Sequence, residues 1–224
     1  LYRTGSRYRI PGGQRYWLPS HLTVEGDWSS AAFFLCAGAM SREGIAVDGL
    51  SLPTRQGDSA LLPLLRQMGA VVNLSSGCIT VRKGRLRATD IDARPIPDLI
   101  PPLSVLAAAA EGEIHIQNAR RLRYKESDRL QGIAELLNSL GGCLTVDGDG
   151  LLIHRVSHLQ GGTVDSMGDH RLAMSAALAA LSADAPVTVR DAECVSKSYP
   201  AFWADFQSLK GEAPCPAPSE TPSV

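Results

Sequence analysis

The chain has 224 residues, of which 44% are hydrophobic, and its formal net charge is −1 at pH 7. This composition supports one large domain or two small ones with an ordinary buried core, and it excludes a wholly disordered chain. The charge balance lacks the basic excess of a nucleic-acid-binding protein, and no apolar run approaches the roughly 20 residues that span a bilayer. We therefore expect a globular protein that binds neither nucleic acid nor membrane.

The five cysteines are scattered along the chain, without a C-x-x-C pair. This pattern favours neither a zinc site nor a disulfide framework, and it is typical of a protein that works in the reducing cytoplasm. The first residues contain no start Met and no signal-peptide pattern, so we expect a fragment of a longer protein.

The two ends of the chain differ from its middle. Aromatic-containing runs at 7–10 and 14–18 flank Pro11-Gly12-Gly13, and this pattern predicts a hairpin. A lone hairpin is marginal in water, so residues 1–20 are predicted to be a hairpin remnant of a preceding domain, with its linker. Residues 212–224 are rich in Pro and are predicted to form a disordered tail.

An internal repeat occupies the region between these ends. Asp27, Asp98 and Asp169 lie 71 residues apart, and each opens an Ala-rich apolar segment. Such segments predict buried helices, because they are apolar nearly all round, and Asp is a favoured N-cap. The three predicted helices contain residues 29–35, 103–110 and 172–178.

Each buried helix is followed by a β-rich run and then by an amphipathic helix. The predicted strands are 45–47, 113–116 and 187–189, and the predicted amphipathic helices are 59–68, 128–140 and 200–209. Gly69, Gly141 and Gly211 follow these helices, as the left-handed C-cap conformation favours. Two hairpins close the first two units: 70–74 with 78–81, and 143–146 with 151–154.

A further strand at 22–24, before the first helix, would make the unit βαβαββ. The sequence then predicts a mixed α/β domain over residues 21–211, built of three βαβαββ repeats with pseudo-threefold symmetry, helices inside and sheets outside. The third copy lacks its closing hairpin, which another part of the parent chain could supply.

Threefold packing would bring equivalent helix N-termini to one end of the domain. Helix N-termini carry partial positive charge and free N–H groups, which favour phosphate or carboxylate. Taken singly, each polar motif found there can be a solvated helix start or an Asp cap, but four in one frame indicate an anion site. The motifs are KESDR at 125–129, GDHR at 168–171, SKSYP at 196–200 and PIPD at 95–98.

These motifs, together with VEGDWSSAAFF at 24–34, resemble the EPSP synthase (3-phosphoshikimate 1-carboxyvinyltransferase) family. The resemblance covers roughly residues 6–211, in order and with matching spacing. It implies the C-terminal half of an enzyme with two similar domains, which close on substrates in the cleft between them. The implied reaction transfers the enolpyruvyl group of phosphoenolpyruvate to the 5-hydroxyl of shikimate 3-phosphate and releases phosphate, on the route to chorismate. No metal and no cofactor are implied.

The resemblance also implies three catalytic residues. Asp98 corresponds to the carboxylate beside the shikimate 5-hydroxyl, where a base must lie within hydrogen-bond reach of the proton it removes. Glu126 corresponds to the carboxyl group that protonates the methylene carbon of phosphoenolpyruvate. Flanked by cations, Glu126 would be ionised by default and would need burial or a bound anion to become an acid. His170 corresponds to a histidine near the reacting centre.

Substrate-binding residues are implied in the same way. Arg129, Arg171 and Lys197 correspond to the cations that hold phosphoenolpyruvate, and Lys125 to a lysine that contacts the phosphate of shikimate 3-phosphate. Arg121 stands where some members have an Asn that binds this phosphate, so shikimate 3-phosphate is its candidate ligand. The implied partner is the N-terminal domain of the same, monomeric enzyme. We expect the fragment alone to have little or no turnover, because one cleft wall cannot exclude water or fix both substrates.

Three other functions are compatible with parts of the sequence. The nearest is the sister enolpyruvyl transferase that acts on UDP-N-acetylglucosamine, although that family lacks the KESDR and GDHR combination. A binding module without catalysis would not need Asp98 and Glu126 as well as four cations. RNA binding through a βαβαββ-like unit is disfavoured by the missing basic excess and the lack of interleaved surface aromatic residues.

Overall fold

The computed structural model describes residues 1–75 and 77–209. It is a mixed α/β fold in which helices and strands follow the predicted repeat. The strands are β1 Tyr2–Thr4, β2 Arg7–Arg9, β3 Ile45–Asp48, β4 Val71–Ser75, β5 Cys78–Arg82, β6 Ile91–Asp92, β7 Glu113–Gln117, β8 Cys143–Asp147, β9 Gly150–His154, β10 Gly162–Asp165 and β11 Val187–Arg190. The α-helices are α1 Trp28–Met40, α2 Leu61–Gln67, α3 Ile100–Ala109, α4 Arg129–Ser139, α5 His170–Ala179 and α6 Phe202–Ser208.

The three Ala-rich helices α1, α3 and α5 form the centre of the fold, as predicted. Almost all their residues are buried, and each helix contacts the other two. Small side chains permit this close packing and also let a sheet approach. A Cβ on Gly38 of α1 would lie 2.5 Å from the carbonyl oxygen of Val81 in β5, so that position accepts only glycine without a shift of the backbone.

Three sheets lie outside these helices, one for each repeat. The first has the order β3-β5-β4, the second β6-β7-β9-β8 and the third β10-β11. In β7, Ile114 and Ile116 face the core while Glu113, His115 and Gln117 face outward, which is the alternation of a half-buried strand. The predicted strand after each buried helix and the predicted hairpins that close the first two units are confirmed, and among the described residues the third sheet has no hairpin.

The second helix of each repeat is also confirmed. A 3-10 helix, Gly57–Ala60, leads into α2, and glycines with positive φ follow α2 and α4, namely Gly69 at 96° and Gly141 at 81°. The predicted terminator Gly211 and the predicted tail 212–224 lie outside the described residues. Helix α6 is anchored by aromatic contacts, in which Phe202 touches Phe33 and Phe34 of α1.

Two predictions near the N-terminus are wrong. The hairpin pairs β1 with β2 and not 7–10 with 14–18, and the latter run forms no strand. Gly5, with φ of 59°, allows a two-residue turn between β1 and β2, whereas Pro11 lacks the N–H that a paired strand donates. The assignment of residues 1–20 to a preceding domain stays a prediction.

The segment 22–24 also forms no strand, although β6 and β10 occupy the corresponding place in the other repeats. Leu22 and Val24 are exposed, and β3 pairs only with β5 among the described strands. Each hydrogen bond gained by pairing is worth about 0.5–1.5 kcal/mol, while ordering each residue costs about 1–2 kcal/mol of backbone entropy. Three residues with little apolar burial therefore gain nothing by pairing.

No helix in residues 1–75 and 77–209 is long and apolar enough to cross a bilayer.

Candidate active site

The N-termini of the three buried helices meet at one end of the fold, as predicted. Arg171, in the first turn of α5, joins them: its Nη2 donates to Ser29 Oγ in the first turn of α1 at 2.9 Å. Its Nη1 donates to the carbonyl oxygen of Asp98, just before α3, at 3.3 Å. The repeat thus brings the positive ends of three helix dipoles to one end of the fold.

Arg129, the first residue of α4, lies at the centre of the ion pairs at this point. Its side chain is only 1% exposed. Nε donates to Asp169 Oδ2 at 2.7 Å, Nη1 to Asp98 Oδ1 at 2.8 Å, and Nη2 to Glu126 Oε2 at 2.6 Å and Asp169 Oδ1 at 3.1 Å. The planar guanidinium reaches three carboxylates because its N–H donors are spread over three nitrogen atoms, whereas the donors of a lysine share one nitrogen.

Two lysines extend the cluster toward solvent. Lys125 Nζ lies 2.9 Å from Asp98 Oδ1, and Lys197 Nζ lies 3.0 Å from Glu126 Oε1. Lys197 is predicted just before the last helix, 200–209; in the structure it ends a 3-10 helix, Ala192–Lys197, and α6 begins two residues later than predicted, at Phe202. Pro200 explains the difference, since the residue before a proline is disfavoured in helical conformation. The structure nevertheless brings Lys197 to the site.

Asp98 was considered as the cap of α3, and it is not one. It lies in a 3-10 helix, Pro97–Leu99, and no side chain caps the N-terminus of α3. Pro101 and Pro102 in the first turn of α3 carry no N–H, so a capping carboxylate would find few donors there. The Asp98 carboxylate therefore binds cations, whereas Asp27 and Asp169 do cap α1 and α5 as predicted.

His170 is buried beside this cluster as a neutral ring. Burial lowers the pKa of its imidazole, and the charge of Arg171 lowers it further. Its Nδ1 lies 4.0 Å from Asp169 Oδ1 and has no hydrogen-bond partner within the described ranges. A neutral imidazole can donate or accept a hydrogen bond at this position without adding charge to the cluster.

Arg121 is not brought to the cluster. It lies in the 3-10 helix Arg120–Tyr124, is exposed, and lines a surface cavity of about 450 Å³ with Arg94 and Asp147. None of the other predicted site residues lines that cavity. Its role with shikimate 3-phosphate stays a prediction.

The carboxylates of Asp98 and Glu126 are held in the ionised form. Partial burial raises the pKa of Asp98, but the charges of Arg171, Lys125 and Arg129 lower it below its usual value. Partial burial likewise opposes ionisation of Glu126, yet the hydrogen bond from Lys197 and the charges of Arg129 and Lys197 bring its pKa to about 2. Four cations lie among these carboxylates, where an incoming anion can compete for them.

The depressed pKa of Glu126 gives a pH dependence of stability. A group whose pKa is lower in the folded state stabilises the fold above its unfolded-state pKa, usually about 4.5, and loses that contribution as the pH falls toward 2. Urea unfolding between pH 7 and pH 3 should therefore show a falling free energy of unfolding. Glu126→Gln should be less stable than the parent at pH 7 and should approach it at pH 3. An equal difference at both pH values would contradict this account.

Three residues of the cluster were not predicted as site residues. Asp169 was predicted only as a helix cap, but it also binds Arg129 through both oxygens while fully buried. Ser127 Oγ donates to Asp169 Oδ2 at 3.1 Å, and Ser29 accepts from Arg171. The regular spacing of Asp27, Asp98 and Asp169 signals the helix starts but not which cation each one meets.

Fold and site together define a repeat-built α/β domain that gathers cations and carboxylates at the shared end of its central helices. The model of the family EPSP synthase (3-phosphoshikimate 1-carboxyvinyltransferase) matches residues 2–206, and the chain belongs to that family. The 3-phosphoshikimate 1-carboxyvinyltransferase of Clostridium kluyveri is 42% identical over 211 residues, which are 93% of this chain and 49% of that protein. The corresponding protein of Methanocella arvoryzae is 46% identical over 204 residues, 90% of this chain and 48% of that protein.

A solved structure shows the same fold. The EPSP synthase of Acinetobacter baumannii superposes with a TM-score of 0.73 at 31% identity, covering 85% of this chain and 47% of that chain. The chain thus spans about half the length of the curated relatives it matches. This extent agrees with one half of a two-part enzyme.

Proposed function

We propose that this chain forms the phosphoenolpyruvate-binding wall of an enzyme that transfers the enolpyruvyl group to the 5-hydroxyl of shikimate 3-phosphate and releases phosphate. A second wall, corresponding to the other half of the relatives, would complete the cleft. The complete enzyme is proposed to act as a monomer in the cytoplasm, as one step toward chorismate.

The observation that carries this proposal is the mixed cluster around Arg129. A site that only bound anions would need cations alone, whereas here two partly exposed carboxylates, Asp98 and Glu126, lie among four cations. Enolpyruvyl transfer needs both kinds of group, because one proton leaves the hydroxyl and another is added to the methylene carbon. Positioned acids and bases contribute about 100- to 10,000-fold each to such steps.

Asp98 suits the role of base. Its carboxylate is ionised at neutral pH, its Oδ1 is fixed by Lys125 and Arg129, and its side chain is 31% exposed, so a substrate hydroxyl can approach. When the hydroxyl attacks C2 of phosphoenolpyruvate, its proton passes to this carboxylate. The same cations stabilise the negative charge of the departing phosphate.

The cations suit the roles proposed for them to different degrees. Lys197 is the most accessible, with 57% of its side chain exposed, and it can follow a phosphate as a mobile point charge. Arg171 is 11% exposed and anchored to α1, so it offers a fixed donor. Arg129 is buried and can bind an anion only if it gives up a carboxylate.

Fusing this chain to the N-terminal half of the Clostridium kluyveri relative tests the function. We expect the fusion to release phosphate from phosphoenolpyruvate in the presence of shikimate 3-phosphate but not of UDP-N-acetylglucosamine. The chain alone should show little or no release, because its single wall leaves the reacting atoms in water. Turnover with the UDP sugar would identify the sister transferase instead. Activity of the isolated chain near that of a full-length relative would refute the need for a second wall.

A further inference from the structure

The carboxyl group of Glu126 binds the same cations that are proposed to hold the substrate anion. Its Oε2 accepts from Arg129 Nη2 at 2.6 Å, and its Oε1 accepts from Lys197 Nζ at 3.0 Å. Both oxygens are therefore used, in the way that a bound carboxylate or phosphate would use its own oxygens. The Glu126 carboxylate thus occupies the positions that the oxygens of a bound anion would take.

An incoming anion that binds Arg129 through two N–H groups has to displace one of the three carboxylates, since four of the five N–H donors of this guanidinium are already used. Asp169 is fully buried and is also held by the N–H of Arg171 and by Ser127. Asp98 is also held by Lys125.

Glu126 has fewer ion-pair partners than Asp98 and is less buried than Asp169. Its ion pairs within the described residues are those with Arg129 and Lys197, and its side chain is 28% exposed. An anion that engages Arg129 and Lys197 removes both partners at once and adds a negative charge beside the carboxylate. Partial burial and like charge both favour the protonated acid.

We propose that an anion bound by Arg129 and Lys197 displaces the Glu126 carboxylate, which then takes up one proton from solvent. One O–H bond forms on the carboxyl oxygen, one O–H bond of a hydronium ion breaks and leaves water, and no other bond changes. The inference deepens the proposed function, because it makes substrate binding the event that loads the acid. Its physical basis is the competition for two cations, which applies to any small oxyanion.

The other charged groups around Glu126 cannot replace the partners it loses. Lys125 is bound to Asp98, and Arg171 is bound to Ser29 and to the backbone carbonyl of Asp98, just before α3. The imidazole of His170 is neutral. The remaining groups, Asp98 and Asp169, are carboxylates that add to the repulsion.

The test uses sulfate as the probe, because sulfate has no ionisable group near neutral pH and any proton taken up must come from the protein. The chain is labelled with ¹³C at the glutamate carboxyl carbons, and the Glu126 signal is identified by its loss in Glu126→Gln. In a titration from pH 6 to pH 3, this signal should report a largely ionised carboxylate throughout without sulfate and protonation at a higher pH as sulfate is added. We expect the pKa to rise by about 1–3 pH units, the effect of losing an opposite charge within a few ångströms. Sodium chloride at equal ionic strength should leave the signal unchanged.

Two variants sharpen the result. Lys197→Met should make Glu126 easier to protonate before any sulfate is added, whereas Lys197→Arg should restore the parent behaviour. The inference is overturned if sulfate shifts the Arg129 side-chain resonances while Glu126 stays ionised, and equally if sulfate changes no resonance of the site. The fusion assay is independent: an inactive fusion with a normal sulfate response would refute the proposed function alone, and an active fusion without that response would refute this inference alone.

Discussion

Replacing Arg129 by methionine should lower the free energy of unfolding of the chain by about 3–5 kcal/mol at pH 7. The guanidinium is 1% exposed and is bonded to Asp98, Glu126 and Asp169. Methionine fills a similar volume but leaves these carboxylates, one of them fully buried, without their common partner. Urea unfolding followed by tryptophan fluorescence measures the change.

A matched control is Arg85→Met. Arg85 makes a similar ion pair with Glu111 at 2.9 Å, but its side chain is 71% exposed, and Glu111 follows the end of α3 opposite to the site. Exposed pairs contribute about 0.2–1 kcal/mol, so this variant should be nearly as stable as the parent. Equal losses for the two methionine variants would show that burial of the Arg129 network has no special role.

The Arg129 effect should also depend on pH and on geometry. Below about pH 4.5 the carboxylates that lack the Arg129 partner can protonate. The decrease in the free energy of unfolding caused by Arg129→Met should therefore become smaller as the pH falls. Arg129→Lys should be intermediate, because an ammonium supplies charge without the fork that reaches three carboxylates. In the double variant Arg129→Met with Asp169→Asn, the two losses should be less than additive, since the second change removes the buried charge stranded by the first.

In the fusion enzyme, Glu126→Gln should reduce kcat by about 100- to 10,000-fold, the usual contribution of a positioned acid or base. Glutamine keeps the shape of the side chain and one carbonyl oxygen but cannot deliver a proton at neutral pH. The KM for phosphoenolpyruvate should stay the same or fall, because the amide competes less well than a carboxylate for Lys197 and Arg129. Initial rates of phosphate release at varied substrate concentrations give both constants.

Arg85 also supplies the control for the kinetic experiment, this time as Arg85→Gln. The kcat and KM of this variant should equal those of the parent fusion. Unchanged kcat in Glu126→Gln would support a binding module or a different proton donor, and His170→Gln would then be the next variant to measure. A rise in KM at constant kcat would instead assign Glu126 to substrate binding.

Much of the fold could be predicted from the sequence because its signals are local and repeated. Buried helices were recognisable from their composition, the strands that follow them from β-branched residues, and the helix ends from glycines at matching intervals. The exceptions lie where tertiary context outweighs local pattern. The run 14–18 has strand-like residues but no partner, and 22–24 precedes α1 without pairing to β3.

The place of the site, at converging helix N-termini, was predicted together with most of the residues that meet there, but Asp169, Ser127 and Ser29 were missed and the connections were not predicted. Sequence alone determined that Lys125, Glu126, Arg171 and their neighbours would lie at one end of the repeat, since equal spacing in a threefold frame brings equivalent positions together. Only the tertiary structure decided that Arg129 would be buried among three carboxylates and that Glu126 would hold Lys197. The pairs of Arg129 with Asp169 and of Glu126 with Lys197 join different repeats. Their strength depends on burial and on small differences in distance, which no pattern along the chain encodes.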